Sequence, residues 1–473
     1  MFFASAYPSL LWPDEIFQSL EPAHRLVWGY GIVPWEFRVG ARSWLLPGFL
    51  AAICAATAGL GEGSTGYLTG VRCVLSLMSL AIPASAYVLA RRRYGATTAL
   101  LAACLVAAWF ELVYFAPKAF AEVIATHLFV PGLVWLDSEP TARKRLISSG
   151  FLLGLASALR PHLAPAVLAS VCYSWHSQRR ARALLWPLLW SFAIPVIASG
   201  VLDALTWGMP FQSIWQNLRV NFAGHRALIN SRAPWFGYLW IVTRVWWPWS
   251  FGIVALIVIG ARQQRALAYA LLTTLVLHSL VPHKEYRYIY PVLALSTVLL
   301  SLGLCEIAQR IQRLRPSATW LGPACSSALL IIGLYASLTL GQRYEFGATS
   351  LAGGSGEPPF LWTHFRGMLL AFEALSTDAN VCGVGLANRH WDRSAGYSYL
   401  HRDVPIFQIS DNAAYKRYAS GFNIFIANAD SGPAIGRYER SRCWDQTCIY
   451  RRPGACAKLP GYDINRELIA ADD

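Results

Sequence analysis

The sequence predicts a mainly α-helical, multi-pass membrane protein with a small α/β domain at its C-terminal end. Its 473 residues are 55% hydrophobic and only 14% charged, and the mean hydropathy is +0.38. Its 20 tryptophans belong to a residue type that is enriched where membranes meet water. Long apolar runs recur up to Leu340, whereas the remainder of the chain is polar. Such a composition excludes a soluble globular protein.

The sequence contains about ten apolar runs that are candidates for transmembrane helices, since a helix needs roughly 20 residues to cross a bilayer. A bundle of about ten transmembrane helices is therefore expected. The predicted spans are residues 69–90, 97–115, 121–137, 146–159, 162–176, 183–203, 236–260, 266–281, 287–306 and 319–341.

Arginine-rich clusters follow every second predicted span, as the positive-inside rule requires of cytoplasmic loops. They explain the net charge of +14 (40 basic minus 26 acidic residues) better than nucleic-acid binding does. The clusters lie at residues 91–93, 143–145, 179–182, 262–265 and 310–315. If these clusters are cytoplasmic, the remaining loops lie on the outer face of the membrane. They include Asp14, Glu15, residues 118–122 and 160–162, the 282–287 loop and everything after residue 342.

Two segments do not fit simple crossings. Residues 44–60 are apolar, but counting them as a span would move the basic cluster at residues 91–93 outside. We therefore expect an interfacial or re-entrant helix there, on the outer face. Residues 146–176 are too short for two ordinary crossings and are interrupted at residues 160–162, which predicts paired short helices around a polar break. Only eleven residues precede Trp12, so an outer placement of Trp12 predicts a further span upstream of this start.

The polar C-terminal part is expected to form an extracytoplasmic α/β domain. We place the transmembrane domain at residues 1–342 and the C-terminal domain at residues 343–473, with a Gly- and Pro-containing linker at 351–360. Apolar runs at 380–386 and 421–427 predict buried strands. A zinc site is one interpretation of the cysteines in this part, but no CxxC pair favours it. Two disulfides in an oxidising compartment are the other, with the candidates Cys382, Cys443, Cys448 and Cys456.

The most informative polar stretch is WPDEIFQSLEPAHR, residues 12–25, which lies before the hydrophobic spans. Pro13 suits the first helical position, and Asp14 and Glu15 complement the positive end of the helix dipole. Polar residues then recur at helical spacing as far as Arg25. A helix start without a catalytic role is the alternative for this stretch alone. Its predicted place at a membrane face favours a functional role for the two carboxylates.

A second informative stretch is HKEYRYIYPVLAL, residues 283–295, where one predicted span ends and the next begins. His283, Lys284 and Arg287 surround Glu285 in this stretch. One interpretation is that the cations anchor the interface while the tyrosines join its aromatic belt. The other is that the cations hold the phosphate of a lipid-linked substrate, since a buried anion needs charge-assisted donors.

Residues 12–47 and this second stretch together resemble glycosyltransferase family 22, the Alg9-like and GPI-anchor-type mannosyltransferases. The family patterns are similar to PDE-x-x-Q-x-x-E-x-x-H, GYG-x-x-x-WE, RS-x-x-x-P and HKE-x-R-x-x-x-P. Two separate motifs in the same order make the resemblance specific, although it does not extend to the C-terminal domain. The matching residues are Pro13, Asp14, Glu15, Gln18, Glu21, His24, Gly29, Tyr30, Gly31, Trp35, Glu36, Arg42, Ser43, Pro47, His283, Lys284, Glu285, Arg287 and Pro291.

The resemblance implies the GT-C fold and an inverting transfer of mannose from a polyprenyl (dolichyl-type) phosphate β-mannose donor. The acceptor is a hydroxyl of a glycan or glycolipid, and the product is an α-mannoside. Single displacement needs one base to take the acceptor proton. Asp14 matches the catalytic aspartate of the family, and Glu15 supports it or binds the acceptor.

The remaining site residues are assigned by role. The expected donor-phosphate ligands are His283, Lys284, Arg287, Arg160 and His162, with a kink and a snorkelling arginine as the alternative for the last two. Glu122 either takes part in the site or forms an i,i+4 pair with Lys118. The expected substrate-binding residues are Gln18, Glu21, His24, Trp35, Glu36, Arg42, Glu122 and Glu285.

The sequence contains no DxD motif and no Gly-rich phosphate loop, so it predicts no metal, no cofactor and no sugar-nucleotide donor. A transporter or flippase of lipid-linked glycans, or a GT-C enzyme for another sugar, are the alternatives. Candidate charges gathered on one outer face favour the enzyme. We expect a bacterial inner membrane, or the endoplasmic reticulum membrane of a eukaryote, with the active site on the periplasmic or lumenal side.

Overall fold

Helices make up most of the computed structural model, which describes residues 8–137, 143–177, 184–220, 233–314, 317, 320–351, 360–387, 390–431 and 438–472. The chain divides into two compact units. The first, called the helical unit, contains Gly40–Leu45 and Val74–Phe360. The second, called the mixed unit, contains Ser5–Val39, Leu46–Cys73 and Leu361–Asp473. The mixed unit thus combines segments from both ends of the chain, whereas the sequence predicts one boundary after residue 342. The predicted division into a transmembrane catalytic domain, residues 1–342, and a C-terminal domain, residues 343–473, stays a prediction.

The described α-helices are numbered in chain order. The first eleven are α1 (Glu21–Trp28), α2 (Trp35–Arg38), α3 (Leu45–Thr57), α4 (Thr65–Ser79), α5 (Ala81–Tyr94), α6 (Ala96–Ala107), α7 (Phe110–Phe115), α8 (Ala121–Leu136), α9 (Arg143–Leu159), α10 (Ala164–Ser177) and α11 (Leu185–Trp207). They are followed by α12 (Gln212–Leu218), α13 (Gly237–Val245), α14 (Ser250–Gln263), α15 (Arg265–Leu280), α16 (Tyr290–Leu314), α17 (Leu321–Gln342), α18 (Phe346–Thr349), α19 (Arg366–Leu375), α20 (Gly396–Leu400), α21 (Asn412–Tyr418) and α22 (Ile464–Asp472).

The predicted membrane class is confirmed. Among the described residues, four helical stretches are long and apolar enough to cross a bilayer: Thr65–Tyr94, Leu185–Trp207, Tyr286–Leu314 and Leu321–Gln342. They are accompanied by the shorter apolar helices Leu45–Leu60, Ala96–Ala107, Ala121–Leu136 and Arg265–Leu280. Fewer described helices reach full span length than the sequence predicts, because several predicted spans are short or broken.

The predicted span at residues 236–260 is wrong as a single straight crossing. These residues form α13 and α14, which are bent by 111° at a short break. Pro248 lies in the break, and a proline lacks the N–H that would continue a helix and clashes with the preceding turn. Counted as one broken span, the pair raises the number of candidate crossings in the described chain to five.

The polar break predicted at residues 160–162 is confirmed. Helix α9 ends at Leu159, a 3₁₀ turn covers Pro161–Leu163, and α10 begins at Ala164. Arg160 has an extended backbone (φ −141°, ψ 91°), which is the conformation that a following proline favours. The break therefore follows directly from the local sequence.

Basic residues lie at the ends of the apolar helices, where the sequence predicts them. Residues 91–93 occupy the last turn of α5, residues 143–145 begin α9, and Arg262 and Arg265 flank the junction between α14 and α15. The predicted clusters at 179–182 and Arg315 lie outside the described residues, as does most of the predicted linker, residues 352–359.

Helix α16 lies in the interior of the helical unit. It belongs to the helical stretch Tyr286–Leu314, and 89% of the most apolar 18 residues of this stretch are buried inside the protein. It packs closely against α14. A Cβ on Gly260 of α14 would overlap the carbonyl of Leu299, and one on Gly303 of α16 would overlap that of Leu256. Small residues let the backbones of membrane helices approach in this way. Because α16 begins just after residues 283–287, its packing also fixes the position of that stretch.

The described residues of the mixed unit include a five-stranded sheet formed by β1 (Val384–Ala387), β2 (Ile406–Ile409), β3 (Ile424–Asn428), β4 (Glu439–Trp444) and β5 (Thr447–Arg451). The order of the strands is β2-β1-β3-β5-β4. The parallel strands β1 and β2, and β1 and β3, are joined by connections that contain α20 and α21, as parallel pairing requires. Strand β5 runs antiparallel to β3 and β4. The strands predicted at 380–386 and 421–427 are confirmed by β1 and β3.

The four cysteines predicted to form disulfides do so. Cys382 is bonded to Cys456, with a Cα–Cα distance of 5.8 Å, and Cys443 to Cys448, with a distance of 4.1 Å. The second bond links directly opposed residues of β4 and β5. The other six cysteines are thiols. Disulfides persist in oxidising compartments, so the bonds support the predicted extracytoplasmic place of this domain.

We expect loss of the Cys382–Cys456 bond to destabilise the protein more than loss of the Cys443–Cys448 bond. The sequence separations are 74 and 5 residues, and loop-closure entropy gives about 4.5 and about 2 kcal/mol, respectively. Thermal unfolding of the two double Cys→Ser variants checks the order. Cys172→Ser removes a thiol from α10 and serves as the control. Equal shifts in the two unfolding midpoints would contradict the expectation.

Candidate active site

The acidic segment, residues 8–39, begins with the helix that the sequence predicts after Pro13. The N–H group of Ile16 donates to the Pro13 carbonyl (2.9 Å), and Asp14 is the first helical residue. Residues Ile16–Leu20 then form a π-helical turn that continues into α1. Such wide turns are rare and occur frequently at functional sites. The local geometry therefore agrees with a functional rather than a purely structural helix start.

The amide of Gln18 bridges two carboxylates in this segment. Its Nε2 donates to Oδ1 of Asp14 and to Oε1 of Glu36 (2.9 Å). Glu36 belongs to α2, which begins with the half-buried Trp35. Asp14 is also half-buried, whereas Glu15 and Glu36 are each only 7% exposed. The structure thus brings together three residues predicted for the site, Asp14, Gln18 and Glu36, and leaves Asp14 accessible.

Glu21, predicted to contact substrate, is instead enclosed by backbone. The residue is 0% exposed. Its carboxylate accepts N–H bonds from Ile32 (2.8 Å), Tyr397 (2.9 Å) and Ser398 (2.7 Å). Burial raises the pKa of Glu21, while these hydrogen bonds act in the opposite direction. In this arrangement the carboxylate is closed to a substrate.

His24, the second predicted substrate contact in α1, is likewise 0% exposed. Its Nδ1 lies 3.1 Å from the carbonyl oxygen of Tyr30, and its Nε2 lies 3.1 Å from Nδ1 of His401. Burial, together with the neighbouring His401, lowers the pKa of His24 to about 3. His24 is therefore a neutral, internal side chain at physiological pH.

A second group of predicted residues meets in the helical unit and is called the charge cluster. It consists of Glu122, Arg160, His283, Glu285 and Arg287. Glu122 accepts a hydrogen bond from Nη2 of Arg160 and lies 3.7 Å from Nη1 of Arg287. Nε of Arg287 donates to Oε2 of Glu285 (2.5 Å), and Nε2 of His283 lies 2.8 Å from Oε1 of Glu285.

Four of the five residues of the charge cluster are buried, and His283 is partly exposed. Arg287 and Glu122 are 2% exposed, and Arg160 and Glu285 are 7% and 8% exposed. Burial alone would raise the pKa of Glu285, but Arg287 and the hydrogen bond from His283 hold it well below its ordinary value. Glu285 is therefore ionised at neutral pH. Two arginines and two glutamates balance each other, as buried charges must.

Lys284 contacts the end of a helix rather than these carboxylates. Its Nζ donates to the carbonyl oxygens of Ser279 (2.7 Å) and Val281 (2.6 Å), just where α15 ends. The same Nζ lies 5.2 Å from the ring centre of Tyr238. A cation at the C-terminal end of a helix complements the helix dipole. A role of Lys284 in binding a donor phosphate stays a prediction.

His162 and Arg42 are the remaining predicted residues of the helical unit. The ring of His162, at the break after α9, lies 5.4 Å from that of His278. Arg42 lies in the short segment before α3, and its carbonyl accepts a hydrogen bond from Nε1 of Trp207 (3.0 Å). Asp14 and the charge cluster belong to different units, so their convergence on one pocket stays a prediction.

Glu111 was not predicted from the sequence, yet it contacts the predicted stretch at residues 283–287. Glu111 is 0% exposed and accepts hydrogen bonds from Nε1 of Trp109 (2.9 Å), Nε1 of Trp246 (3.2 Å) and the hydroxyl of Tyr286. Glu111 therefore fixes the position of Tyr286, the residue between Glu285 and Arg287 in the sequence. The available signal was an acid inside an apolar run, which marks a functional candidate by default.

No group of three or more His, Cys, Asp or Glu side chains in the described parts of the chain could hold a metal ion. The acidic segment and the charge cluster offer different chemistry. Asp14 is an accessible carboxylate that can take a proton, and the charge cluster offers guanidinium donors that can bind an anion.

Comparison with protein families and curated proteins identifies relatives. The model of the Alg9-like mannosyltransferase family matches residues 2–352. GPI mannosyltransferase 3 of Yarrowia lipolytica is 29% identical over 411 residues, which are 84% of this chain and 72% of that protein. GPI alpha-1,2-mannosyltransferase 3 of Homo sapiens is 24% identical over 352 residues, 71% of this chain and 59% of that protein. The chain thus spans between about half and three quarters of the length of such relatives.

Comparison with solved structures identifies the fold. The crystal structure of ArnT from Cupriavidus metallidurans bound to undecaprenyl phosphate matches with a TM-score of 0.60 and 12% sequence identity, covering 97% of both chains. The same protein in the apo state matches with a TM-score of 0.56. The GT-C fold expected from the sequence is confirmed.

We expect His24 to make the protein less stable as the pH falls. The unfolded state binds a proton at a pKa of about 6.5 and the folded state only near 3. Stability from this residue is complete above pH 6.5 and decreases by about 1.4 kcal/mol per pH unit between these values. Thermal unfolding of His24→Gln between pH 7.5 and 4.5 should therefore show a shallower pH dependence than wild type. His176→Gln, at an exposed position, should keep the wild-type slope, and parallel slopes for all three proteins would contradict the expectation.

Proposed function

Because the chain belongs to the Alg9-like mannosyltransferase family, we propose that it is an inverting mannosyltransferase that uses a lipid-linked donor. The donor is polyprenyl-phosphate β-mannose, and the acceptor is a hydroxyl of a glycan or glycolipid. The observation that carries the proposal is the family match over residues 2–352. This match includes both the acidic segment and the charge cluster.

The known relatives support the substrate class. The similar proteins of Yarrowia lipolytica and Homo sapiens are named as GPI mannosyltransferases. The ArnT structure that shares the fold contains undecaprenyl phosphate, which is a polyprenyl phosphate. Both observations favour a lipid-phosphate sugar over a soluble sugar nucleotide.

Asp14 is the general base in the proposed reaction. It takes the proton of the acceptor hydroxyl while the hydroxyl oxygen attacks the anomeric carbon of mannose. The bond from that carbon to the phosphate oxygen breaks, and its electron pair leaves with the polyprenyl phosphate. Attack opposite the leaving group converts the β-mannoside into an α-mannoside. Gln18 supports this role because its amide contacts Asp14 and Glu36 together, and so orients the base.

The charge cluster is the proposed binding site of the donor phosphate. Its guanidinium groups are already desolvated, and phosphate oxygens suit the same donors as carboxylate oxygens. An entering phosphate would share Arg160 and Arg287 with Glu122 and Glu285. The proposal places this site on the periplasmic or lumenal side of the membrane.

We expect Asp14→Asn to abolish transfer while leaving donor binding unchanged. Asparagine keeps the shape and the contact with Gln18 but cannot accept the proton, and loss of general-base catalysis lowers kcat roughly 100- to 10,000-fold. The assay supplies purified protein with polyprenyl-phosphate mannose or GDP-mannose and a synthetic α-mannoside glycolipid. Asp403→Asn, at an exposed position, is the matched control. Near-normal turnover of Asp14→Asn would remove Asp14 as the base, and consumption of GDP-mannose alone would overturn the proposed donor.

We expect Arg287→Gln to raise the KM for the lipid donor roughly 10- to 100-fold, because a charge-assisted hydrogen bond contributes about 1.5–3 kcal/mol. Arg287→Lys keeps the charge without the planar fork and should fall between this variant and wild type. Arg343→Gln changes an exposed arginine and should leave KM unchanged. An unchanged donor KM in a folded Arg287 variant would show that Arg287 does not bind the donor and only anchors this stretch.

A further inference from the structure

Glu21 joins the acidic segment to the sheet-containing domain, residues 361–472. Both of its carboxylate oxygens are used: Oε1 accepts from Ile32 (2.8 Å) and Tyr397 (2.9 Å), and Oε2 accepts from Ser398 (2.7 Å). The side chain is 0% exposed. A buried carboxylate is stable only where such donors satisfy it, so Glu21 and residues 397–398 have to stay together.

The chain on the other side of this contact is shaped to receive Glu21. Gly396 has φ +62°, a conformation that favours glycine, and a Cβ at this position would lie 2.5 Å from Oε2 of Glu21. The hydroxyl of Tyr67 donates to the carbonyl of Ser398 (2.6 Å) and fixes the same turn from the α4 side. The conformation of the chain at residues 396–398 therefore fits the side chain of Glu21 closely.

Further contacts join the same two segments on either side of Asp14. Before Asp14, the N–H group of Leu10 donates to the carbonyl of His364 (3.0 Å). After it, the ring of Phe17 packs edge-on against Trp391, with centroids 4.7 Å apart. Further along, Asn465 accepts from the N–H of Val33 (2.7 Å) and donates to the carbonyl of Gly31 (3.2 Å).

We propose that Glu21 is a positioning residue for the transfer reaction, through which the sheet-containing domain fixes the place of Asp14. Asp14 and Glu21 lie on one uninterrupted helical run, so displacement of Glu21 displaces Asp14. A catalytic group displaced by about 1 Å can lose roughly 100-fold in rate. The domain thus takes part in catalysis without touching substrate. This inference rests on the proposed function, since it takes Asp14 as the base.

The test compares full-length Glu21→Ala with wild type in the lipid-donor assay. We expect kcat to fall roughly 10- to 100-fold while the donor KM changes less than about twofold. Gly396→Ala disturbs the same contact from the other side and should also lower kcat. The double variant should be no worse than Glu21→Ala, because both changes act on one interaction. Glu467→Gln, at an exposed position of α22 in the same domain, should keep the wild-type kcat.

Hydrogen exchange gives a measurement that does not depend on activity. Glu21→Ala should speed exchange at the amides of Ile32, Tyr397 and Ser398 and in peptides that cover residues 8–20. If Glu21→Ala does not fold, Gly396→Ala and Asn465→Ala carry the same comparison, with a smaller fall in kcat. Wild-type kcat, a raised KM with unchanged kcat, additive effects in the double variant or unchanged exchange would each overturn the inference. If wild type consumes no lipid donor, the proposed function fails, while the exchange result still decides whether Glu21 holds the segment.

Discussion

Charged side chains buried among apolar elements impose the constraint on which both units of this protein are built. A charge removed from water costs several kcal/mol unless it is paired or hydrogen-bonded. In the helical unit, Arg287 meets this requirement by contacting Glu285 and Glu122. In the mixed unit, the buried carboxyl group of Glu21 accepts hydrogen bonds from three backbone N–H groups. Each solution joins segments that are far apart in the sequence, so the surrounding fold depends on it.

The two solutions suit different tasks. The partners of Arg287 are side chains, and a phosphate oxygen can take the place of a carboxylate oxygen at a guanidinium. The partners of Glu21 are backbone groups, which cannot exchange unless the chain at residues 396–398 moves. The charge cluster therefore fits the proposed binding and release of an anion, whereas the Glu21 contact fits the proposed role of holding a segment in place.

Local sequence rules predicted the features that depend on neighbouring residues. The helix start after Pro13, the break at Arg160 and the strands β1 and β3 follow from proline chemistry and apolar patterning. The bend between α13 and α14 carried the same signal in Pro248, but the apolar run around it suggested one straight span. In this case the proline determined the structure and the hydrophobicity did not.

Features that depend on distant residues could not be read from the sequence. Glu21 matches a family motif, which suggested a substrate contact. Its actual partners, residues 397 and 398, come from the other end of the chain. Glu111 likewise supports Tyr286 across a long stretch of sequence. A sequence pattern can thus indicate that a charged residue matters without indicating whether it contacts substrate or holds another residue.

The stretch at residues 283–287 contains the anchoring contacts of one interpretation beside the cations of the other. Its backbone is extended at Glu285 (φ −124°, ψ 143°), and a 3₁₀ turn covers Tyr286–Ile289. Lys284 contacts the end of α15 and Tyr286 contacts Glu111, which are anchoring contacts. His283 and Arg287 both contact Glu285 and belong to the charge cluster. Anchoring contacts and the proposed anion-binding groups therefore alternate along one short segment, and the anchoring contacts give the charge cluster a fixed geometry.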